Sequence, residues 1–138
     1  MKGYASLRAA QPNGAYASLV TIEADLTRGL HSFSIVGLAD RAVEEARDRI
    51  SAAIRHTGFK SPKSENRRIV LSLSPADLKK EGSHYDVALA LAYLTASGDI
   101  KLPETSMLFA GELALDGKIR SVHGVLPQVL AGNKRPPD

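Results

Sequence analysis

Alternating apolar and polar residues mark the first third of the chain as β-structure. Between residues 19 and 26, apolar side chains alternate with threonine, glutamate and aspartate. A period of two predicts a strand with one buried face. The turn-forming segment 11–14 precedes this stretch, so residues 5–10 are expected to form its hairpin partner. A further short strand is predicted over residues 31–36.

After residue 40 the spacing of apolar residues changes to three and four, which is typical of an amphipathic helix. The apolar stripe runs from Val43 to Thr57. Asp40 is the expected N-cap of this helix, and Gly58 is the expected stop.

Two further helical segments are predicted after a strand over residues 69–73. Residues 74–77 are expected to begin a short helical turn, because proline is favoured at the first helical position and Pro75 stands there. Residues 87–96 carry no charge and are rich in helix-forming residues, so this helix must be covered on every side. We expect three of its residues, Ala90, Leu91 and Leu94, to lie in the central core.

The last third of the chain predicts a hairpin and a final helix. Strands over residues 107–115 and 118–122 flank an Asp-Gly turn, and the helix begins at about Val125. The order of strands, helix, strand, helix, hairpin and helix indicates a mixed α/β (α+β) layer fold.

Composition narrows the class of protein. The 138 residues suit one domain, and no run of about 18 apolar residues predicts a transmembrane helix. The absence of cysteine excludes thiolate catalysis, disulfides and cysteine-based metal sites. No secretory signal follows the first residues, so we expect a cytoplasmic protein without a membrane partner. The net charge of +3 permits nucleic-acid contact without indicating it.

Two segments resemble catalytic motifs and fail on spacing. The stretch Gly111–Ile119 has five residues between its glycines, and an isoleucine replaces the hydroxyl residue that would hold magnesium, so we expect no P-loop. Ser83, His84 and Asp86 are too close in sequence to converge as a triad. Ser83 and Asp86 instead have the spacing of a capping box. The four histidines are scattered, which argues against a metal site. Together with the failed motifs, this predicts no catalytic, cofactor-binding or metal-binding residues.

Basic residues form two dense groups that could contact phosphates. The six candidate DNA-binding residues are Lys60, Lys63, Arg67, Arg68, Lys79 and Lys80. An ordinary solvated surface is the alternative interpretation of both groups.

Four blocks of sequence together resemble one protein family. They begin at Ser34-Ile35-Val36-Gly37-Leu38-Ala39-Asp40, Leu71-Ser72-Leu73-Ser74-Pro75-Ala76-Asp77, Tyr85-Asp86-Val87-Ala88-Leu89 and Gly111-Glu112-Leu113-Ala114-Leu115-Asp116-Gly117. In this order they resemble the N-terminal domain of the magnesium-chelatase-like AAA+ ATPases, the ComM/YifB family. The resemblance implies a single domain over 1–135, with 136–138 starting a linker to an ATPase module that this chain lacks. ATP and magnesium are expected in that module, and no cofactor is expected here.

The same resemblance implies a Lon-like fold. The domain is similar to the C-terminal protease domain of Lon, to the Lon-like domain of RadA and to the second domain of a small-subunit ribosomal protein. This fold is a two-layer sandwich with a mixed sheet and helices on one face. Lon-type proteases carry a serine where this chain has His84, and a general-base lysine where it has Pro127. The resemblance therefore implies a protease-like scaffold that is not an enzyme.

For the whole protein, the resemblance implies an ATP-driven hexameric helicase in DNA recombination and natural transformation. Self-association and contact with single-stranded or branched DNA are then the expected tasks of this domain. One alternative is a purely structural or regulatory oligomerisation module without DNA contact. A second is a Ser-Lys peptidase that uses Ser83 and a lysine such as Lys80, which Pro127 disfavours.

Overall fold

The computed structural model describes residues 3–103 and 107–120, and a mixed four-stranded sheet is its central feature. The strands are β1 (Tyr4–Asn13), β2 (Tyr16–Arg28), β3 (Ser32–Val36) and β4 (Arg67–Ser74). Their order in the sheet is β1-β2-β4-β3. Strand β3 runs parallel to β4, whereas the other neighbours are antiparallel. The strands predicted in the first third of the chain and over 69–73 are confirmed.

Within the described ranges, three α-helices follow from the predicted apolar patterns. They are α1 (Arg41–Glu44), α2 (Ala46–His56) and α3 (Asp86–Ser97). The Asp40 carboxylate accepts a hydrogen bond of 2.9 Å from the backbone N–H of Val43, which confirms the predicted N-cap. The single helix expected over this stretch is interrupted at Glu45, so it divides into α1 and α2.

The core lies between one face of the sheet and the helices. The apolar residues that alternate along β2 and β4, including Val20, Ile22 and Leu71, are fully buried there. Helix α3 packs against β1 and β2. Eight of the twelve residues of α3 are buried, including Ala90 and Leu94 as predicted, whereas Leu91 is half-buried. The opposite face of the sheet carries polar residues such as Ser72, which is half-buried. In the part of the chain that is described, the helices therefore pack on one face only.

The segments after Ser74 differ from the predictions. The short helical turn expected to begin at residues 74–77 is a single turn, closed by a hydrogen bond of 3.2 Å from the Leu78 N–H to the Pro75 carbonyl, and it does not extend into a helix. The strand expected over 107–115 is reduced to β5 (Glu112–Leu113), which pairs with β6 (Ile119–Arg120). Residues 121–138, including the helix expected from Val125, lie outside the described residues. No helix within the described ranges is long and apolar enough to cross a membrane.

Candidate nucleic-acid interface

The sheet separates the predicted basic residues into two groups. Strand β4 begins at Arg67 and ends at Ser74, and eight extended residues span about 25 Å. Lys60, Lys63, Arg67 and Arg68 belong to the end where β4 begins. Lys79 and Lys80 follow the turn at its other end, beside the loop after β3. One continuous surface therefore does not contain all six.

Lys80 is not a surface residue, which corrects its prediction as a DNA contact. It is fully buried, and its ammonium donates hydrogen bonds to the carbonyls of Gly37, at 2.5 Å, and of Pro75. Its backbone N–H also donates to the carbonyl of Leu38. Burial lowers the pKa of Lys80. The side chain connects the loop after β3 to the turn after β4, which is a structural task.

Three other residues predicted to contact DNA have separate surroundings and do not form one surface. Lys79 is exposed and forms an ion pair of 3.6 Å with Glu81. Lys63 lies 3.9 Å from Asp48 on α2. Arg68 follows Arg67 along β4, so its side chain points to the opposite, open face of the sheet.

Lys60 and Arg67 come together, and they are joined by Arg28, which the sequence did not single out. All three line an open cleft of about 1090 Å³ between the end of β2 and the segments that follow α2 and α3. We call this feature the arginine cleft. Phe59 and Leu30 contribute apolar surface to it, with exposed fractions of 36% and 92%. The cleft thus combines cations with exposed apolar groups.

The two arginines of the cleft stand directly opposite each other on antiparallel strands. Arg28 on β2 is paired in register with Arg67 on β4, and both side chains lie on the helix side of the sheet. A terminal nitrogen of Arg67 lies 3.4 Å from the Tyr93 hydroxyl, and its guanidinium lies 5.9 Å from the centre of that ring. Like charges in this position repel each other and are unfavourable for folding.

Two acids moderate the charge of the arginine cleft. Glu65 lies 3.4 Å from the ammonium of Lys60, and Asp99 is part of the lining. Three cations against two acids leave a single net positive charge among the titratable residues that line it. The cleft can therefore attract anions, but weakly.

The position that corresponds to the nucleophile of Lon-type proteases is part of the core. His84 is 5% exposed, and its Nε2 lies 2.9 Å from the Ala10 carbonyl. Burial lowers the pKa of His84. The position that corresponds to the nucleophile is thus occupied by a buried, hydrogen-bonded ring. Pro127, at the position of the general-base lysine, lies outside the described residues.

Asp86 does not act as the capping-box partner of Ser83, which corrects that prediction. Helix α3 begins at Asp86 without a side-chain cap. The buried Asp86 carboxylate instead accepts hydrogen bonds from Arg49, at 2.6 and 3.0 Å, and from the backbone N–H of Leu113 at 3.0 Å. Burial disfavours the charged carboxylate, and the Arg49 guanidinium opposes that effect.

The remaining motifs carry no site among the residues described. The stretch Gly111–Ile119 lies in the β5–β6 hairpin, where the Ala114 N–H donates to the Lys118 carbonyl at 2.8 Å. This confirms the hairpin interpretation over that of a P-loop. Within residues 3–103 and 107–120, no three histidines or carboxylates group together as metal ligands would.

Comparison with known proteins decides the family. The sequence profile described as "Subunit ChlI of Mg-chelatase" matches residues 22–136. The chain is 43% identical over 122 residues to the competence protein ComM of Haemophilus influenzae, a match that covers 88% of this chain and 23% of that protein. The chain belongs to the magnesium-chelatase-like ComM/YifB family.

Other relatives extend this ComM/YifB assignment. An uncharacterized protein of Mycobacterium tuberculosis strain H37Rv is 47% identical over 124 residues, covering 88% of this chain and 24% of that protein. The uncharacterized protein YifB of Escherichia coli is 40% identical over 116 residues, covering 82% and 22%. The chain thus spans about a quarter of the length of its ComM/YifB relatives.

Proposed function

We propose that this chain is a non-catalytic, Lon-like N-terminal domain of a ComM-like AAA+ ATPase. In this proposal the domain contacts DNA and supports assembly of a hexameric helicase that acts in DNA recombination and natural transformation. ATP and magnesium belong to a separate ATPase module, and the protein works in the cytoplasm. The name of the Haemophilus relative, a competence protein, is consistent with this role.

The observation that carries the DNA contact is the arrangement of cations at one end of the sheet. Arg28, Lys60 and Arg67 line a single cleft, although they come from three separate segments. Folding brings them together against their mutual repulsion, and an anion would relieve that repulsion. Phosphate groups of a nucleic acid are anions that such a set recognises.

The buried state of His84 supports the non-catalytic part of the proposal. The His84 ring is 5% exposed and hydrogen-bonded to a backbone carbonyl, so a substrate cannot reach this position. The mixed sheet with helices on one face is compatible with a Lon-like scaffold. We therefore expect no casein cleavage and no ATP turnover by the purified chain. ATP turnover, or casein cleavage that Ser83→Ala abolishes, would overturn this part.

Binding to DNA at several salt concentrations tests the central proposal. We expect the chain to bind single-stranded and forked DNA at about 50 mM salt, with an affinity that falls linearly on a logarithmic salt scale. The isolated domain should bind weakly, because a ring would multiply contacts that a monomer lacks. If the chain binds neither DNA at low salt, the DNA-contact function is wrong.

One observation favours a second candidate, an assembly module without DNA contact. Val36 and Leu38 expose 45% and 55% of their surface at the end of the edge strand β3. Leu38 has a φ of 57°, an unusual backbone conformation for leucine. The backbone N–H of Lys80 donates a hydrogen bond of 3.0 Å to the Leu38 carbonyl. This candidate predicts concentration-dependent self-association in sedimentation experiments that Leu38→Ser weakens, together with no binding of DNA.

A further inference from the structure

We propose that the arginine cleft binds a single-stranded segment of nucleic acid, with a backbone phosphate between Arg28 and Arg67 and an unpaired base on Phe59. This inference rests on the proposed DNA-contact function and makes it specific. It names the residues that bind, the part of the ligand that each residue contacts and the form of nucleic acid that fits.

The phosphate position follows from the register of the sheet. Arg28 and Arg67 are directly opposed on β2 and β4, and directly opposed side chains in an antiparallel pair have Cβ atoms about 5 Å apart. Two arginine side chains that start from Cβ atoms this close can both reach one phosphate, and the guanidinium fork matches phosphate geometry. The hydrogen bond from Arg67 to the Tyr93 hydroxyl and the cation–π contact with that ring direct the guanidinium of Arg67.

The base position follows from Phe59. It directly follows Gly58, whose φ of 93° ends the turn after α2, and the Phe59 N–H donates to the Ile54 carbonyl at 3.2 Å. The backbone is thus fixed while the ring lines the arginine cleft beside Lys60. Bases of single strands stack on aromatic side chains of this kind, whereas bases within a duplex are already stacked and paired.

The weak net charge of the cleft argues for a strand rather than for a lone anion. Glu65 and Asp99 offset two of the three cations, so a free phosphate would gain little. A strand adds stacking on Phe59 and further phosphates that can reach Lys60. The volume of about 1090 Å³ slightly exceeds the usual range for small-molecule sites and is sufficient for a short stretch of nucleotides.

The test compares two cleft variants with a charge-matched control. Arg28→Glu removes one guanidinium from the phosphate position, and Phe59→Ala removes the stacking surface. Arg41→Glu makes the same charge change at an exposed position on α1, beyond the opposite end of β3. Each protein is titrated by fluorescence anisotropy with a ten-nucleotide single strand and with the duplex of the same sequence, at several salt concentrations. A mononucleotide and inorganic phosphate serve as competitors.

We expect Arg28→Glu to weaken single-strand binding at least tenfold and to lower the salt slope by about 0.7, the slope that one neutralised phosphate contributes on a single strand. We expect Phe59→Ala to weaken it about tenfold without changing the salt slope, and to leave duplex binding unchanged. Arg41→Glu should stay within about threefold of the parent. The Tm of Arg28→Glu should be unchanged or slightly raised, because an opposite-charge pair with Arg67 replaces a repulsive one.

The outcomes separate this inference from the proposed function. If the parent binds single strands and both cleft variants bind equally well, the cleft is the wrong site although the DNA-contact function stands. An equal weakening in Arg41→Glu would indicate a diffuse charge effect and would also overturn the inference. Duplex binding as tight as single-strand binding would overturn the choice of ligand. So would a mononucleotide that competes as well as the single strand when both are compared at equal concentrations of nucleotide units. No binding by the parent would overturn the proposed function itself.

Discussion

Arg49 and Asp86 form a two-point ion pair although they are 37 residues apart in sequence. The guanidinium donates from Nε at 2.6 Å and from a terminal nitrogen at 3.0 Å to the two carboxylate oxygens. Asp86 is fully buried, whereas the Arg49 side chain keeps 21% of its surface exposed. Because the same carboxylate accepts from the Leu113 N–H, one buried charge joins α2, α3 and β5.

Removal of one partner of this pair should destabilise the domain strongly. We expect Arg49→Ala to lower the free energy of unfolding by about 3–5 kcal/mol, because it leaves a buried carboxylate without its counter-charge. A double-mutant cycle with Asp86→Ala should give a coupling energy in the upper part of the range of about 0.5–3 kcal/mol found for contacting residues. Urea unfolding measures both quantities.

The exposed pair of Lys118 and Asp116, at 4.0 Å, is the control for that cycle. Its coupling energy should stay below about 1 kcal/mol, as for other solvent-exposed pairs. Equal coupling in the two pairs would contradict the argument that burial of Asp86 strengthens its interaction with Arg49.

Adjacent lysines should differ sharply in their effect on stability. Lys80→Ala removes a buried ammonium that donates to the carbonyls of Gly37 and Pro75, and it leaves a cavity. Hydrogen bonds that involve a charged group contribute about 1.5–3 kcal/mol, so we expect a loss of that order. Lys79→Ala removes an exposed side chain and should change the free energy of unfolding by less than about 0.5 kcal/mol. Thermal or urea unfolding of the two variants makes the comparison. Similar stability of both would show that the buried ammonium is dispensable.

Local pattern predicted the elements of this fold better than it predicted their long-range contacts. The alternation along β2 and the charge-free segment of α3 each determine a burial pattern by themselves, so both were predicted correctly. Lys80 and Asp86 looked like a surface cation and a capping residue, because their partners, Gly37 and Arg49, are distant in sequence. No spacing rule identifies such partners.

The candidate site shows the same limit. Lys60 and Arg67 were predicted from their density in the sequence, and that signal also selected Lys79, which lies at the other end of the sheet. Arg28 was missed because an isolated arginine at a strand end carries no signal until the register places it opposite Arg67. A sequence argument could find it only by aligning β2 with β4 first.

Two leucines of α3 test how the helix is covered. Leu89 is fully buried, whereas Leu91, which we predicted to be central, is half-buried beside the exposed Ile119 in a small apolar groove. We expect Leu89→Ala to cost about 2–5 kcal/mol, and Leu91→Ala to cost less, because its surroundings can collapse and water already reaches it. Urea unfolding of both variants checks the order. A larger effect at Leu91 would mean that the groove is covered in solution.

The stability of the domain should fall as the pH falls below about 6.5 because of His84. Burial depresses the pKa of His84 below its ordinary value of 6.5, so the folded protein resists protonation. The unfolded chain takes up the proton near pH 6.5, and between the two pKa values it holds more protons than the folded protein. The free energy of unfolding therefore decreases with falling pH in that window, by at most about 1.4 kcal/mol per pH unit for one proton.

Replacement of this histidine should remove that part of the pH dependence. His84→Gln has a side-chain amide that can donate to the Ala10 carbonyl but does not titrate. His56→Gln, at an exposed position at the end of α2, is the matched control. Urea unfolding of the parent and both variants at pH 7.5, 6.5 and 5.5 gives the slopes, which do not depend on whether a variant is less stable overall. We expect a shallower slope for His84→Gln than for the parent, because this variant removes a site that takes up a proton in the unfolded chain and resists protonation in the folded protein. If His84→Gln keeps the slope of the parent, the His84 ring of the parent gains its proton in the folded protein as readily as in the unfolded chain.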